Sequence, residues 1–157
     1  REEYCKLVQR IRSHIPGVTL STDVIVGFPG ETSEQFQRTV DLLEELEFDK
    51  VHSAAYSTRP GTIASRKMID YGSQEEKQRR LKVVDQLQEK ILTKKNFTLL
   101  GKTVSILVDG HHKGKWQGRT RNDKLVFIED KRDLLGQLLN VRIEHTSPWS
   151  LRGVAID

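Results

Sequence analysis

The apolar residues of this chain change their repeat at Leu100-Gly101. Before that point they recur every three or four positions, as on one face of a helix; beyond it Val104, Ile106 and Val108 recur every second position, as on one face of a strand. A helical stripe and an alternating stripe bury different geometries, so the 157 residues read as two small units, 1–98 and 101–157. No stretch approaches the roughly 20 apolar residues that cross a bilayer. A membrane partner is therefore not expected, and no internal repeat or low-complexity tract is present.

The first unit begins with Tyr4, Leu7, Val8, Ile11 and Ile15 at helical spacing, which predicts a helix over 2–15 ended by Pro16-Gly17. Residues 18–26, rich in β-branched side chains, predict a buried strand closed by Gly27-Phe-Pro-Gly30. Thr32 and Gln35 form a capping box for a helix to about 47, and a strand over 50–56 follows. A strand, a helix and a strand joined by so long a crossover pair in parallel, with loops for function at their C-terminal ends. Residues 57–73 are expected to be irregular. Ser73 and Glu76 then cap a long helix to about 97, striped by Leu81, Val84, Leu87 and Ile91. In the second unit, short strands separated by turns at 111–114, 122–123 and 130–133 predict a small antiparallel barrel of about five strands. The fold class is α/β, with an all-β second unit.

Cys5 is the one cysteine, which excludes an internal disulfide framework, points to the cytoplasm and cannot by itself hold an iron–sulfur cluster. The opening Arg1-Glu2-Glu3-Tyr4 has neither an initiator methionine nor an apolar signal core, so these residues read as the inside of a longer protein. Residues 101–157 carry ten Lys/Arg against seven Asp/Glu, both tryptophans and three of the five histidines. Cations mixed with aromatic rings suit a phosphate backbone with stackable bases.

Gly27-Phe-Pro-Gly-Glu-Thr32 lies between a strand and a capped helix, where free backbone N–H groups can receive a polar or anionic ligand. It is neither a P-loop nor a dinucleotide fingerprint, and the glycines could equally do no more than make the turn. Asp23 falls inside an apolar strand, where a carboxylate requires either a structural partner or a cavity to face. Arg59, held by Pro60-Gly61 at the end of the next strand, can aim its guanidinium at a carboxylate or phosphate, or simply be solvated. In the second unit, Trp116, Arg119, Arg121, Lys124, Arg142, His145, Trp149 and Arg152 supply an RNA surface of cations and stacking rings, with core packing the competing reading for each tryptophan. His111-His112 reads as a hydrophilic turn and not a metal site; Glu75-Glu76 and Lys77-Gln-Arg-Arg80 read as a solvated helix face. No catalytic triad, Cys–His pair or metal-ligand set can be picked out.

The segments Ser21-Thr-Asp-Val-Ile-Val-Gly-Phe-Pro-Gly-Glu-Thr32 and Tyr56-Ser-Thr-Arg-Pro-Gly-Thr62, with Ala64, resemble the radical S-adenosylmethionine methylthiotransferases. Residues 103–156, with Gly118-Arg-Thr120 and Ser150-Leu-Arg-Gly153, resemble the TRAM domain that follows the radical domain there. The resemblance implies that residues 1–98 are the C-terminal part of a partial β/α radical barrel, followed by an OB-like TRAM barrel over 101–157. It further implies that Asp23, Ile25, Gly27, Tyr56 and Ser57 contact S-adenosylmethionine, that a three-cysteine loop for a 4Fe–4S cluster and a second cluster domain lie upstream, and that the partner is tRNA. In the branch that modifies a ribosomal protein, Glu stands where this chain has Arg59. Arg59-Pro-Gly-Thr62 and the fuller TRAM domain resemble the branch that thiomethylates isopentenyladenosine beside the anticodon, although Thr58 replaces its usual proline; His52 resembles the threonylcarbamoyladenosine branch. A monomer is expected. The competing readings are a non-catalytic RNA-binding module and a protein-binding module that uses the 74–97 helix.

Overall fold

The computed structural model describes residues 1–68 and 72–156. Chain contacts divide it into two compact units, Arg1–Gln88 and Glu89–Asp157, so that the last turns of the long helix are grouped with the second unit. Among the described residues, no helix is long and apolar enough to cross a membrane.

In the first unit, α1 (Glu2–His14) leads into β1 (Ser21–Val26), α2 (Ser33–Leu46) and β2 (Lys50–Ala55). The capping box forms as the sequence predicts: Thr32 N–H donates to Gln35 Oε1 at 2.9 Å, and Gln35 N–H donates to Thr32 Oγ1 at 3.2 Å. β1 and β2 pair in parallel, with Asp23 opposite His52 and Ile25 opposite Ala54. The stretch expected to be irregular holds a short helix, α3 (Ile63–Lys67), because Thr62 caps it by accepting from Ser65 N–H at 3.1 Å. Residues 69–71 of that stretch lie outside the described residues. α4 (Gln74–Phe97) starts where Ser73 Oγ accepts from Glu76 N–H at 3.1 Å.

Among the described residues, the core of this unit lies on one face of its sheet. Val8 of α1, Phe36, Leu43 and Leu46 of α2, and Val84 of α4 pack with Val26 and Phe48, flanked by Val24 and Val51. Strand side chains alternate across a sheet, so this packing leaves Asp23, Ile25, His52 and Ala54 on the opposite, exposed face. Ile25 is 59% exposed. β1 is therefore half-buried and not buried on both faces as its apolar run suggests.

The second unit holds β3 (Thr103–His112), β4 (Lys115–Thr120), β5 (Leu125–Ile128), β6 (Leu138–Thr146) and β7 (Leu151–Ile156). Neighbours run β3-β4-β5-β7-β6, and β6 pairs back onto β3 to close the barrel. The expectation of a wholly antiparallel barrel fails at one seam, where β5 and β7 run parallel. Five strands in a ring cannot alternate direction all the way round, so one adjacent pair must share a direction. Ile106, Val108, Val126, Ile128, Val141, Ile143 and Leu151 fill the interior, and Leu134 plugs it from the loop before β6. At the β6–β7 seam a Cβ on Gly153 would collide with the Arg142 carbonyl oxygen. Only glycine lets the strands approach there.

His111 and His112 are the last residues of β3, not the turn. The turn is Lys113-Gly114, with φ of 49° and 78°, the left-handed pair that a tight two-residue hairpin requires. Their rings pack as strand side chains do: His111 stands edge-on to Trp116 at 4.9 Å, and His112 lies 6.3 Å from Phe127.

Candidate functional site

Two places gather the residues that the sequence singles out. The first is where β1 and β2 end. Parallel pairing brings both terminal turns to one edge of the sheet: Tyr56 N–H donates to Val26 O at 2.8 Å, and the Tyr56 ring meets Phe28 edge-on at 5.1 Å. Gly27 adopts φ of 70°. Its N–H is not free for a ligand, because Glu31 folds back and accepts it at 2.6 Å.

That carboxylate is held in turn by Arg80 of α4, whose Nη1 donates to Glu31 Oε2 at 2.6 Å and to Glu31 O at 3.2 Å. The same guanidinium donates through Nε to Glu76 at 2.8 Å and lies over the Phe36 ring at 5.1 Å. Lys77, one helical turn earlier, covers Gly27 so closely that a Cβ there would sit 2.6 Å from Lys77 Cγ; its ammonium donates to Tyr56 O at 3.4 Å. Lys77 is 2% exposed and Arg80 6%. The reading of 77–80 as a solvated face thus holds for Gln78 and Arg79 and fails for the other two. Lys77, Arg80, Val84, Gln88 and Ile91 follow the helical repeat and are all buried, so extending the stripe of α4 back by one turn locates the pair. Hydrogen bonds from Arg79, then Arg80, hold the Glu76 carboxyl at about 2, well below its ordinary 4.5.

The remaining first-unit candidates lie outside this network. Asp23 and Ile25 face the open side of the sheet, and Ser57 and Arg59 are exposed on the loop. Asp23 is therefore on the exposed face and not enclosed among the apolar neighbours on its strand. Thr62 Oγ1 donates to Arg59 O at 2.9 Å, which fixes the backbone there.

The second place is the outer wall of the barrel. The two tryptophans differ: alternation puts Trp116 on the inward side with Gly118, packed against the core, whereas Trp149, in the loop between β6 and β7, is 61% exposed. The loop around it is held by Ser147 Oγ, which donates to Ser150 O at 2.8 Å. Arg119 pairs with Asp123 at 2.9 Å and Asp109 at 3.5 Å; Arg142 pairs with Glu144 at 3.2 Å. Lys124 is half-buried and its ammonium donates to Asn96 Oδ1 at 2.7 Å, while the Asn96 amide donates to Ser147 O and Pro148 O. It is thus a structural tie as much as a surface cation. Arg121 and Arg152 are exposed. The wall presents exposed cations and one exposed indole, the ingredients of a phosphate- and base-contacting surface.

No group of three His, Cys, Asp or Glu among the described residues is placed to hold a metal ion, and Cys5 sits half-buried on α1. An iron–sulfur cluster does not fit these residues. On the open face of the sheet, Ile25 presents an exposed apolar surface with the Asp23 carboxylate two residues away on the same side.

The TRAM domain matches residues 98–156. Over nearly its whole length the chain is similar to proteins named tRNA-2-methylthio-N(6)-dimethylallyladenosine synthase. The one from Herpetosiphon aurantiacus is 49% identical over 154 residues, 96% of this chain and 35% of the relative. Those of Roseiflexus sp. (51%, covering 98% and 33%) and Chloroflexus aurantiacus (50%, covering 96% and 33%) stand close by. The chain spans about a third of the length of these relatives. A solved multidomain protein with nucleic acid binding domains from Streptococcus pneumoniae superposes on 38% of the chain at a TM-score of 0.34 and 17% identity, too partial a likeness to bear on fold or function.

Proposed function

Since the chain belongs to the tRNA methylthiotransferase family, we propose that it serves an enzyme that inserts a methylthio group into N6-dimethylallyladenosine of tRNA, supplying part of the cofactor cavity and the grip on RNA. The observation that carries this reading is the identity of 49–51% with synthases of that name across at least 96% of the chain. Residues 1–98 then act as the C-terminal portion of a radical S-adenosylmethionine domain and 101–157 as its RNA-binding domain. The exposed face of β1 and β2, with α1, α2 and α4 packed on the other side, supports the first assignment, since such a face suits the inside of a larger barrel.

In this reading S-adenosylmethionine supplies both the radical and the methyl group. What these residues do is bind and orient: Ile25 and Asp23 present an apolar surface and a carboxylate to the adenosine, while Tyr56 and Ser57 border the same strand ends. Gly27 shapes the turn, its N–H being occupied by Glu31. The cluster ligands belong to parts of the protein outside this chain. Arg59, Trp149, Arg121 and Arg152 face tRNA, in the cytoplasm, and the chain acts as a monomer.

The test is a titration of the 157-residue chain with tRNA at several salt concentrations, beside anaerobic reconstitution with iron and sulfide. The expected results are a logarithmic affinity that falls linearly with the logarithm of salt, a slope about one unit shallower in Arg121→Ala, and no 4Fe–4S absorption. Salt-independent binding, or none, would remove the RNA role. A stable cluster on the isolated chain would show that the ligand assignment is wrong.

A further inference from the structure

The outer wall of the barrel carries a groove that none of the residues singled out above explains as a whole. It is lined by Lys115 of β4, Phe127 and the adjoining Glu129 of β5, Glu144 and His145 of β6, and Arg152 of β7. Strand register builds it. Phe127 stands opposite Arg152 across the parallel seam, and Arg152 stands opposite His145 across the next. Both lie on the outward side because Val126, Ile128, Leu151 and Gly153 take the inward positions. Phe127 is thus a half-buried aromatic ring on the wall of a barrel and not in its core, with the His112 ring 6.3 Å away.

The groove's charges are arranged unequally. Lys115 is committed to Glu129 at 2.6 Å, and Arg142 holds Glu144 at 3.2 Å. The Arg152 guanidinium makes no hydrogen bond or ion pair among the described residues, and its charge adds to the Lys115 hydrogen bond that lowers the Glu129 carboxyl below its ordinary range. A bare phosphate would meet two carboxylates here. A flat base that carries an exocyclic amino group meets an aromatic face, carboxylate acceptors and a cation left over for its own phosphate.

We propose that this groove is a subsite for a single unpaired RNA nucleotide with an amino-bearing base: the base stacks on Phe127, Glu129 or Glu144 accepts from its exocyclic amine, and Arg152 reaches its phosphate. The proposal rests on the RNA-binding reading above and names where on the barrel that binding is centred. His145, opposite Arg152 across the β6–β7 seam, also lines the groove.

Fluorescence anisotropy of the intact chain with labelled tRNA, oligo(A), oligo(C) and oligo(U) tests it. The expected result is tighter binding of oligo(A) and oligo(C) than of oligo(U). Phe127→Ala should weaken tRNA binding by about five- to one-hundred-fold, the span of one base–aromatic stack, and Phe127→Trp should retain it. Arg152→Gln, on an exposed side chain that leaves the fold intact, should weaken all ligands and lower the salt slope by about one. Glu129→Gln with Glu144→Gln should erase the preference for amino-bearing bases. If the chain binds tRNA but Arg152→Gln and Phe127→Trp/Ala behave alike and as the parent, the groove is not the subsite while the RNA reading stands. If the parent chain ignores tRNA, both fail together.

Discussion

The strand-end cluster and the barrel wall are both rich in charge, yet they use it in opposite ways. At the ends of β1 and β2, Arg80, Glu31 and Glu76 are locked together with Lys77 laid over Gly27, and Arg80 is almost wholly withdrawn from water. On the barrel wall, Arg121 and Arg152 remain exposed, and Arg119 and Arg142 sit in ion pairs that water still reaches. Buried charges must be satisfied internally, so the first cluster is spent on shape. Exposed ones keep their reach, so the second can exchange a carboxylate or water for a phosphate. Charge density alone does not mark a binding surface; solvent access decides it.

Four measurements can break or sharpen that contrast. The largest effect is expected for Arg80→Ala, which leaves the nearly buried Glu31 carboxylate without its cationic partner. It should cost the first unit about 3–5 kcal/mol, read from hydrogen exchange at β1 amides, with part of the loss recovered when Glu31→Gln, which removes the orphaned charge and keeps an acceptor for Gly27 N–H, is added. A loss below about 1 kcal/mol would mean that the cluster is hydrated after all. Gly153→Ala should destabilise the barrel by about 1–3 kcal/mol through overpacking against the Arg142 carbonyl and leave β1 exchange untouched. Next comes pH. The Glu76 carboxyl titrates at about 2 in the folded chain against an ordinary 4.5, so its contribution is complete above the ordinary value and disappears as the pH falls from there through about 2. Acid unfolding of Glu76→Gln should accordingly be the flatter curve over that window, and an identical curve would show that Glu76 plays no part. The smallest effect belongs to Arg119→Ala, whose two exposed pairs should be worth less than about 1 kcal/mol in a urea melt.

Much of the first unit was legible in sequence because local chemistry fixes it. The Thr32–Gln35 box, the Pro16-Gly17 stop and the β-branched run before Gly27 each specify an element with no help from tertiary structure. What the residues did not announce came from competition between two rules. Lys77 and Arg80 are charged and so read as solvated, while their position on the α4 stripe says buried; the stripe prevails because Glu31, Glu76 and the Tyr56 carbonyl are there to receive them. Asp23 erred in the other direction: its neighbours are apolar, but alternation turns it to the open face. Phe127 lies in the short apolar run Leu125–Ile128, where nothing in composition distinguishes its outward ring from the inward Val126 and Ile128. The parallel β5–β7 seam, a consequence of ring closure, involves strands separated by the whole of β6 and has no local signal.

The hydrogen bond between Gly27 and Glu31 has a further consequence for assembly. A loop that needs its guest to become ordered arrives late and folds around whatever is present. This one brings its own anion and is shaped from within the chain, so the turn is set by the chain's own residues. Losing that internal anion would leave the Gly27 N–H without its acceptor and the turn without that tie.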